Sequence, residues 1–437
     1  MSETSKTPLI PNPSATTLEH GGGSEIVDCG AVPDTETINE WPVLLVLSAV
    51  QFVHILDFMM IMPLGPAFFR LFEITPKQFG LLVTVYTFSA AASSFLVAFI
   101  IDRFDRKHAL IVLCSGFMLA MLLCAASVNY QMLLYSRAIA GVFGGLMSAT
   151  VFSIIADLIP EWRRGKATGT VMSSFSFVAV AGMPAGLFLV GLLSWRVPFI
   201  VLAILSFIII FTANRLLPSV KTHIHQAHRY DPAGQLKNIF MNRNHIFAFL
   251  LIGMLMFSAY LVIPFISTYM VTNVGMQVSD LPYLYFFGGL FSFFTANLFG
   301  RFTDRYGRRV MFGVLAMLSL VPVLWITHIS EAPLFMALTA STLFMILVTG
   351  RVIPLMALVT TAVRPHLRGS FMTFHMSIQQ LSAGLGSLLA GSMMVMTAHG
   401  KILHYDTVGT LAAFITVIGI LLVTKLRSVE EIDAKLQ

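Results

Sequence analysis

Asp57 is the acid that stands deepest inside an apolar stretch of this chain; the other acids lie in polar segments or near the ends of the hydrophobic runs. An ionisable group in such a setting is expensive to keep, which points to a role in gaining, losing or exchanging charge. His54 and Gln51 precede it by three and six residues, so on a helix all three share one face. Arg137 is a lone base inside another apolar run, and Arg351 is a third isolated charge. Asn297, His375, Gln379 and Gln380 add polar groups within apolar surroundings, with His375 and Gln379 neighbours at helical spacing. The chemistry open to this set is proton exchange and the binding of a polar ligand. Static hydrogen bonding between helices is the alternative. No nucleophile–base motif is visible and no phosphate-binding G-x-x-x-x-G-K-[ST] occurs, so the reading is neither an enzyme nor an ATP-driven device.

The elements that must carry these residues are long and apolar. Of 437 residues, 57% are hydrophobic and only 11% charged, against about 25% charged in soluble domains. A soluble enzyme, a disordered chain and a disulfide scaffold are excluded; the three cysteines include two inside one apolar run and imply no framework. Residues 1–42 read as a disordered polar tail. Six runs follow at about 43–68, 78–101, 109–126, 131–158, 167–193 and 197–217. After a polar linker, 218–244, six more follow at about 245–270, 283–303, 310–328, 333–363, 370–397 and 407–425, and a short tail, 426–437, ends the chain. Each run suffices for a spanning helix of about 20 residues. The expected fold is all-α, twelve transmembrane helices in two six-helix halves, 43–217 and 245–425.

Charge orients it. With both termini cytoplasmic, 21 Lys and Arg fall on the inner side and four on the outer, the bias expected of cytoplasmic loops. At about 1.5 Å per residue, Asp57 lies about 21 Å above the inner end of helix 1, and Arg137 about 9 Å below the outer end of helix 4. In an apolar layer about 30 Å thick the two sit at similar depth. Asn297, Gln379 and Arg351 fall at roughly 10, 14 and 18 Å from the inner ends of their helices.

The two halves repeat. Loop 2–3 carries Asp102, Arg103, Asp105, Arg106 and Lys107; loop 8–9 carries Gly300, Asp304, Arg305, Gly307, Arg308 and Arg309, with the two leading acids 202 residues apart. Parallel halves of this kind are a transporter architecture. Asp157 ends helix 4 within reach of Arg106, and Thr361 stands at the matching place in the second half. These groups read as a gate latch that breaks when the inner side opens, or as Arg anchors for anionic headgroups.

Loop 8–9 fits the G-x-x-x-D-R-x-G-R-R signature of the major facilitator superfamily, which the chain resembles over about residues 43–425. In loop 2–3, Ala98 and Asp105 stand where that signature has glycine. Arg137-x-x-x-Gly141-x-x-x-Gly145 is similar to the family's second motif. Gly182-Met183-Pro184-Ala185-Gly186 and Trp195-Arg196-Val197-Pro198-Phe199 look like the bacterial drug and sugar efflux branch of proton antiporters, with Met183 interrupting the branch's Gly-Pro pair. The resemblance implies helices 1 and 4 side by side at a central cavity. It also implies an inner-membrane secondary transporter working by alternating access, coupled to protons. Asp57, His54 and Arg137 are then the proton-coupling candidates. Gln51, Asn297, Arg351, His375, Gln379 and Gln380 are the substrate candidates. A symporter or uniporter of the same fold, or a non-transporting sensor, is the alternative. The expected partners are a small organic substrate, protons and lipid, with no nucleic acid, cofactor or metal, and the protein acts as a monomer. His223, His225 and His228 in the linker lack the Cys or clustered acids a metal would want.

Overall fold

The computed structural model describes residues 40–97, 105–218, 239–364 and 368–427. Twelve helical spans follow in the order of the hydrophobic runs. They are α1 (Glu40–Met60, resuming as Gly65–Phe72), α2 (Pro76–Val97), α3 (Arg106–Ala125), α4 (Tyr130–Leu158), α5 (Glu161–Phe177, then a π turn at Val178–Gly182, then Met183–Leu192) and α6 (Val197–Leu216) in the first half. The second half has α7 (Arg243–Val262, a tight turn at Ile263–Phe265, then Ile266–Thr272), α8 (Leu281–Tyr306), α9 (Arg308–His328), α10 (Leu334–Gly350 and Val352–Thr361), α11 (Arg368–Met393) and α12 (Tyr405–Val423). A minimal hairpin, β1 (Val395–Met396) on β2 (Ile402–Leu403), joins α11 to α12. Among the described residues, nine segments are long and apolar enough by themselves to cross a membrane. Asp102 and Arg103, the linker histidines and both polar tails except Glu40–Pro42 and Leu426–Arg427 lie outside the described residues.

Proline explains the breaks. It has no N–H to give and clashes with the carbonyl four residues back. Pro63 falls in the gap of α1, Pro184 follows the π turn of α5, Pro264 sits in the turn of α7 and Pro354 follows the break of α10 at Arg351. The outlying helices turn apolar side chains outward, as a lipid-facing surface requires: Phe207 and Phe211 on α6, Val321 on α9 and Leu421 on α12 are 58–66% exposed.

The residue that opens the helix after each signature loop differs. Gly307, between α8 and α9, has φ 92°, a conformation that favours glycine. Asp105, the departure from the signature, has φ −58° and caps α3 instead, its carboxylate accepting from the Lys107 amide at 2.9 Å.

The halves are sealed together at one end. Thr84 Oγ1 donates to the Gly384 carbonyl at 2.8 Å, and Ser387 Oγ to the Gly80 carbonyl at 3.3 Å. Among the described residues these are the hydrogen bonds between halves. Phe79 meets Phe265 edge to face at 5.5 Å. A side chain on Gly289 of α8 would run into the Ala179 backbone of α5, and one on Gly391 into the Pro76 backbone, so the helix axes approach closely there. Most of these contacts lie in the helix portions remote from the basic loops. Toward the basic loops α8 is bare on two sides: Phe291, Phe294 and Leu298 on one, Phe293 and Asn297 on the other.

Candidate functional site

Asp57 and Arg137 meet in the core of the first half. Arg137 Nη1 donates to Asp57 Oδ1 at 2.5 Å, and both side chains are fully buried. The contact is one-stranded, and among the described residues Asp57 Oδ2 and Arg137 Nε and Nη2 make no hydrogen bond of good geometry, with the Tyr86 hydroxyl close to the carboxylate. A buried ion pair adds little net stability, because desolvation cancels most of the attraction. A carboxylate with a spare oxygen can, however, be neutralised either by the guanidinium or by a proton.

Three further groups close around the pair. The Arg137 guanidinium lies over the Tyr86 ring of α2 at 4.4 Å, a cation–π contact that is strongest when desolvated. The Tyr86 hydroxyl and His54 Nδ1 share a hydrogen bond of 3.2 Å. Gln51, one turn further along α1, donates through Nε2 to Ser148 Oγ of α4 at 3.3 Å, leaving its Oε1 buried and unpartnered. The glycines of α4 make the cluster possible. A side chain at Gly141 would strike the Tyr86 carbonyl, and one at Gly144 the Tyr86 hydroxyl and the His54 ring. Gly141 and Gly144 are therefore the sites of close approach that let α1, α2 and α4 place their polar groups together.

The cluster reaches the other half through aromatic rings. Phe58 stacks on Tyr86 at 5.4 Å, and Tyr260 of α7 stacks on Phe58 at 6.0 Å. A continuous column, Asp57–Arg137–Tyr86–Phe58–Tyr260, thus runs from the buried carboxylate to the second half. Sequence reasoning placed Asp57, His54, Gln51 and Arg137 but missed Tyr86, Phe58, Tyr260 and Ser148. Tyr86, a polar-tipped ring in the interior of an apolar run, was the one available signal; the two other aromatics look like ordinary filler.

Among the described residues, no hydrogen bond joins the second-half candidates to one another. Arg351 is fully buried and donates through Nη1 to Ser319 Oγ of α9 at 3.1 Å and Thr416 Oγ1 of α12 at 3.0 Å. His375 is buried against Phe371 of its own helix, rings 6.3 Å apart, with neither ring nitrogen bonded. Gln379 and Gln380 are half-buried and Asn297 is exposed. Arg351 and His375 are therefore enclosed within their own half in this state.

Arg106 Nε donates to Asp157 Oδ2 at 3.1 Å, joining α3 to α4. Arg308 Nη1 makes the matching bond to Thr361 Oγ1 at 2.9 Å, joining α9 to α10. Both bonds stay inside one half. The Arg106–Asp157 pair is intact in this structure, beside residues 98–104, which lie outside the described residues. Arg305 lies over the Tyr306 ring at 5.5 Å, Asp304 is exposed, and among the described residues nothing lies within 4 Å of where a side chain on Gly300 would start.

Comparison with known proteins agrees with this architecture. The chain is 25% identical over 402 residues to the uncharacterized MFS-type transporter YwfA of Bacillus subtilis (strain 168), covering 89% of this chain and 93% of that one. It is 25% identical over 185 residues to a probable sugar efflux transporter of Haemophilus influenzae (strain PittGG), 42% of this chain and 46% of that one. In fold it is similar to a crystal structure titled D-xylose-proton symporter, with a TM-score of 0.70 at 16% identity, covering 86% of this chain and 97% of that one. The model of the Major Facilitator Superfamily matches residues 47–387 and 248–437. With that match spanning both six-helix halves, this chain belongs to the Major Facilitator Superfamily and is a membrane transporter, not an enzyme.

Proposed function

We propose that the protein exports a small organic compound, sugar-like or amphipathic, in exchange for protons, with Asp57 as the proton carrier. The observation that carries this is the one-stranded, fully buried Asp57–Arg137 pair. When Asp57 takes a proton, Arg137 loses its counter-charge; when it releases the proton, the pair re-forms. Each event changes which arrangement of the halves is favoured, and a ligand that prefers one arrangement is thereby linked to the proton. His54, hydrogen-bonded through Tyr86, stands on the path by which the proton arrives. Gln51, with its unpartnered oxygen, and Gln379, Gln380 and Asn297 offer polar groups to the substrate.

The Lys and Arg bias supports a cytoplasmic placement of the basic loops and both termini. The contacts between halves at Thr84–Gly384 and Gly80–Ser387, remote from those loops, support an inward-open reading of this state. The likeness to a probable sugar efflux transporter and, over 42% of this chain, to multidrug resistance protein 2 of Bacillus subtilis (strain 168) supports export. Symport would use the same pair with substrate and proton loading together; the fold of the xylose–proton symporter supports that second reading.

The test is transport in proteoliposomes under an imposed pH gradient, screened with sugars and amphipathic drugs. Asp57→Asn removes gradient-driven transport and retains substrate-for-substrate exchange. Wild-type gradient-driven rates in that variant overturn the proposal.

A further inference from the structure

Arg351 and Arg137 are both fully buried guanidiniums, one in each half. Arg137 faces a carboxylate. Arg351 faces only hydroxyls, and among the described residues it makes no ion pair. A guanidinium keeps its charge at any pH at which a protein works. A buried charge left uncompensated is among the most costly things a fold can hold.

The way Arg351 is held is specific. Its Nη1 is fixed by two hydroxyls whose own protons are committed elsewhere: Ser319 Oγ donates to the Ala316 carbonyl at 2.7 Å, and Thr416 Oγ1 to the Ala412 carbonyl at 2.9 Å. Ser258 Oγ of α7 buttresses this arrangement, 2.8 Å from Thr416 Oγ1 and donating to the same Ala412 carbonyl at 2.8 Å. The hydroxyls can therefore only accept from Arg351, and they fix the roll of its plane. Nε and Nη2 remain, buried and, among the described residues, without a partner. These two donors form the side-on edge of the guanidinium, the parallel pair of N–H groups that grips an anion at two points. The break of α10 at Arg351, ahead of Pro354, brings the carboxyl end of Leu334–Gly350 beside the group. That dipole offsets about half a charge at most and leaves the edge itself unbound.

From this geometry we propose that the Nε–Nη2 edge of Arg351 is a binding site for a small monoanion, held by Ser319 and Thr416 between α9, α10 and α12. A halide ion and a carboxylate carried by an organic substrate share the required chemistry. The site is independent of the Asp57 reading, since neither Asp57 nor Arg137 contributes to it.

The experiment is thermal unfolding of the full-length purified protein in detergent, at constant ionic strength. Sodium chloride or bromide is titrated against sodium isethionate, and sodium benzoate against benzamide. The proposal expects a saturable upward shift of Tm. That shift is lost in Arg351→Gln and weakened in Ser319→Ala and Thr416→Val, which leave the guanidinium in place. A shift with halide assigns a resident inorganic anion. A shift with benzoate but not halide, and not with benzamide, assigns an organic carboxylate. No saturable shift with either probe in the wild-type protein overturns the site, as does a shift of wild-type size in Arg351→Gln. Because the Ser319 and Thr416 variants each remove one hydroxyl only, they keep the test readable if Arg351→Gln fails to fold.

Discussion

Phe58 of α1 lies nearly parallel to Tyr260 of α7, ring centres 6.0 Å apart and planes inclined by 29°. Phe58 also stacks on Tyr86, which carries Arg137 on its face. Two rings, Tyr86 and Phe58, thus stand between the Arg137 guanidinium and a contact between the two halves.

This stack gives a first prediction. An aromatic pair contributes about 0.5–1.5 kcal/mol beyond its burial, so Phe58→Leu shifts the balance between the sealed and parted arrangements by roughly 2- to 10-fold. The shift is toward opening at the end where Thr84 and Gly384 now join. Accessibility of single cysteines at the two cavity mouths reads it. Tyr260→Leu gives a shift of similar size, and the double variant gives less than the sum of the two. Unchanged accessibility in both single variants shows that the column carries no energy between the halves.

The matched bonds Arg106–Asp157 and Arg308–Thr361 give a second. Arg106 is nearly buried and Asp157 mostly so, with side chains 6% and 20% exposed. Asp157→Asn should lower stability by an amount between the about 1 kcal/mol of exposed pairs and the about 3 kcal/mol of buried ones. Thr361→Asp gives Arg308 the ionic partner that Arg106 has. Because Arg308 is exposed, the gain is about 1 kcal/mol or less. Unfolding in detergent measures both. The idea fails if Arg308→Gln abolishes nothing of the Thr361→Asp gain.

A third concerns orientation. Lys401 lies at the β1–β2 hairpin and pairs with Glu331 at 3.1 Å, on the side away from the basic loops. In a protein with Cys29, Cys114 and Cys124 replaced, Lys401→Cys reacts with a membrane-impermeant reagent added outside intact cells. Arg243→Cys, at the opposite end of α7, reacts only after the cells are opened. Outside labelling of position 243 reverses the topology.

The number, order and approximate limits of the twelve spans were legible in the sequence, because a spanning helix must be apolar over most of its length and the basic residues must collect between spans. The helix breaks near Pro63, Pro184 and Pro354 have an equally local cause: a missing N–H and a steric clash. The isolation of Asp57 was legible as well, since a charge in an apolar run stands out without any knowledge of its neighbours.

Partners were a different matter. Asp57 and Arg137 were matched in depth by counting residues, but their contact depends on how α1 and α4 are rotated, and Gly141 and Gly144 set that through backbone approach. Arg351 shows the same limit from the other side. It stood out as an isolated charge, and folding sets its Nη1 against Ser319 and Thr416, 32 and 65 residues away along the chain. Serine and threonine hydroxyls in apolar helices ordinarily bond the carbonyl three or four residues back, so nothing local distinguishes the two that hold a guanidinium. Only the packing of α9 and α12 against α10, decided by side-chain shape over the whole half, brings those two hydroxyls to one point.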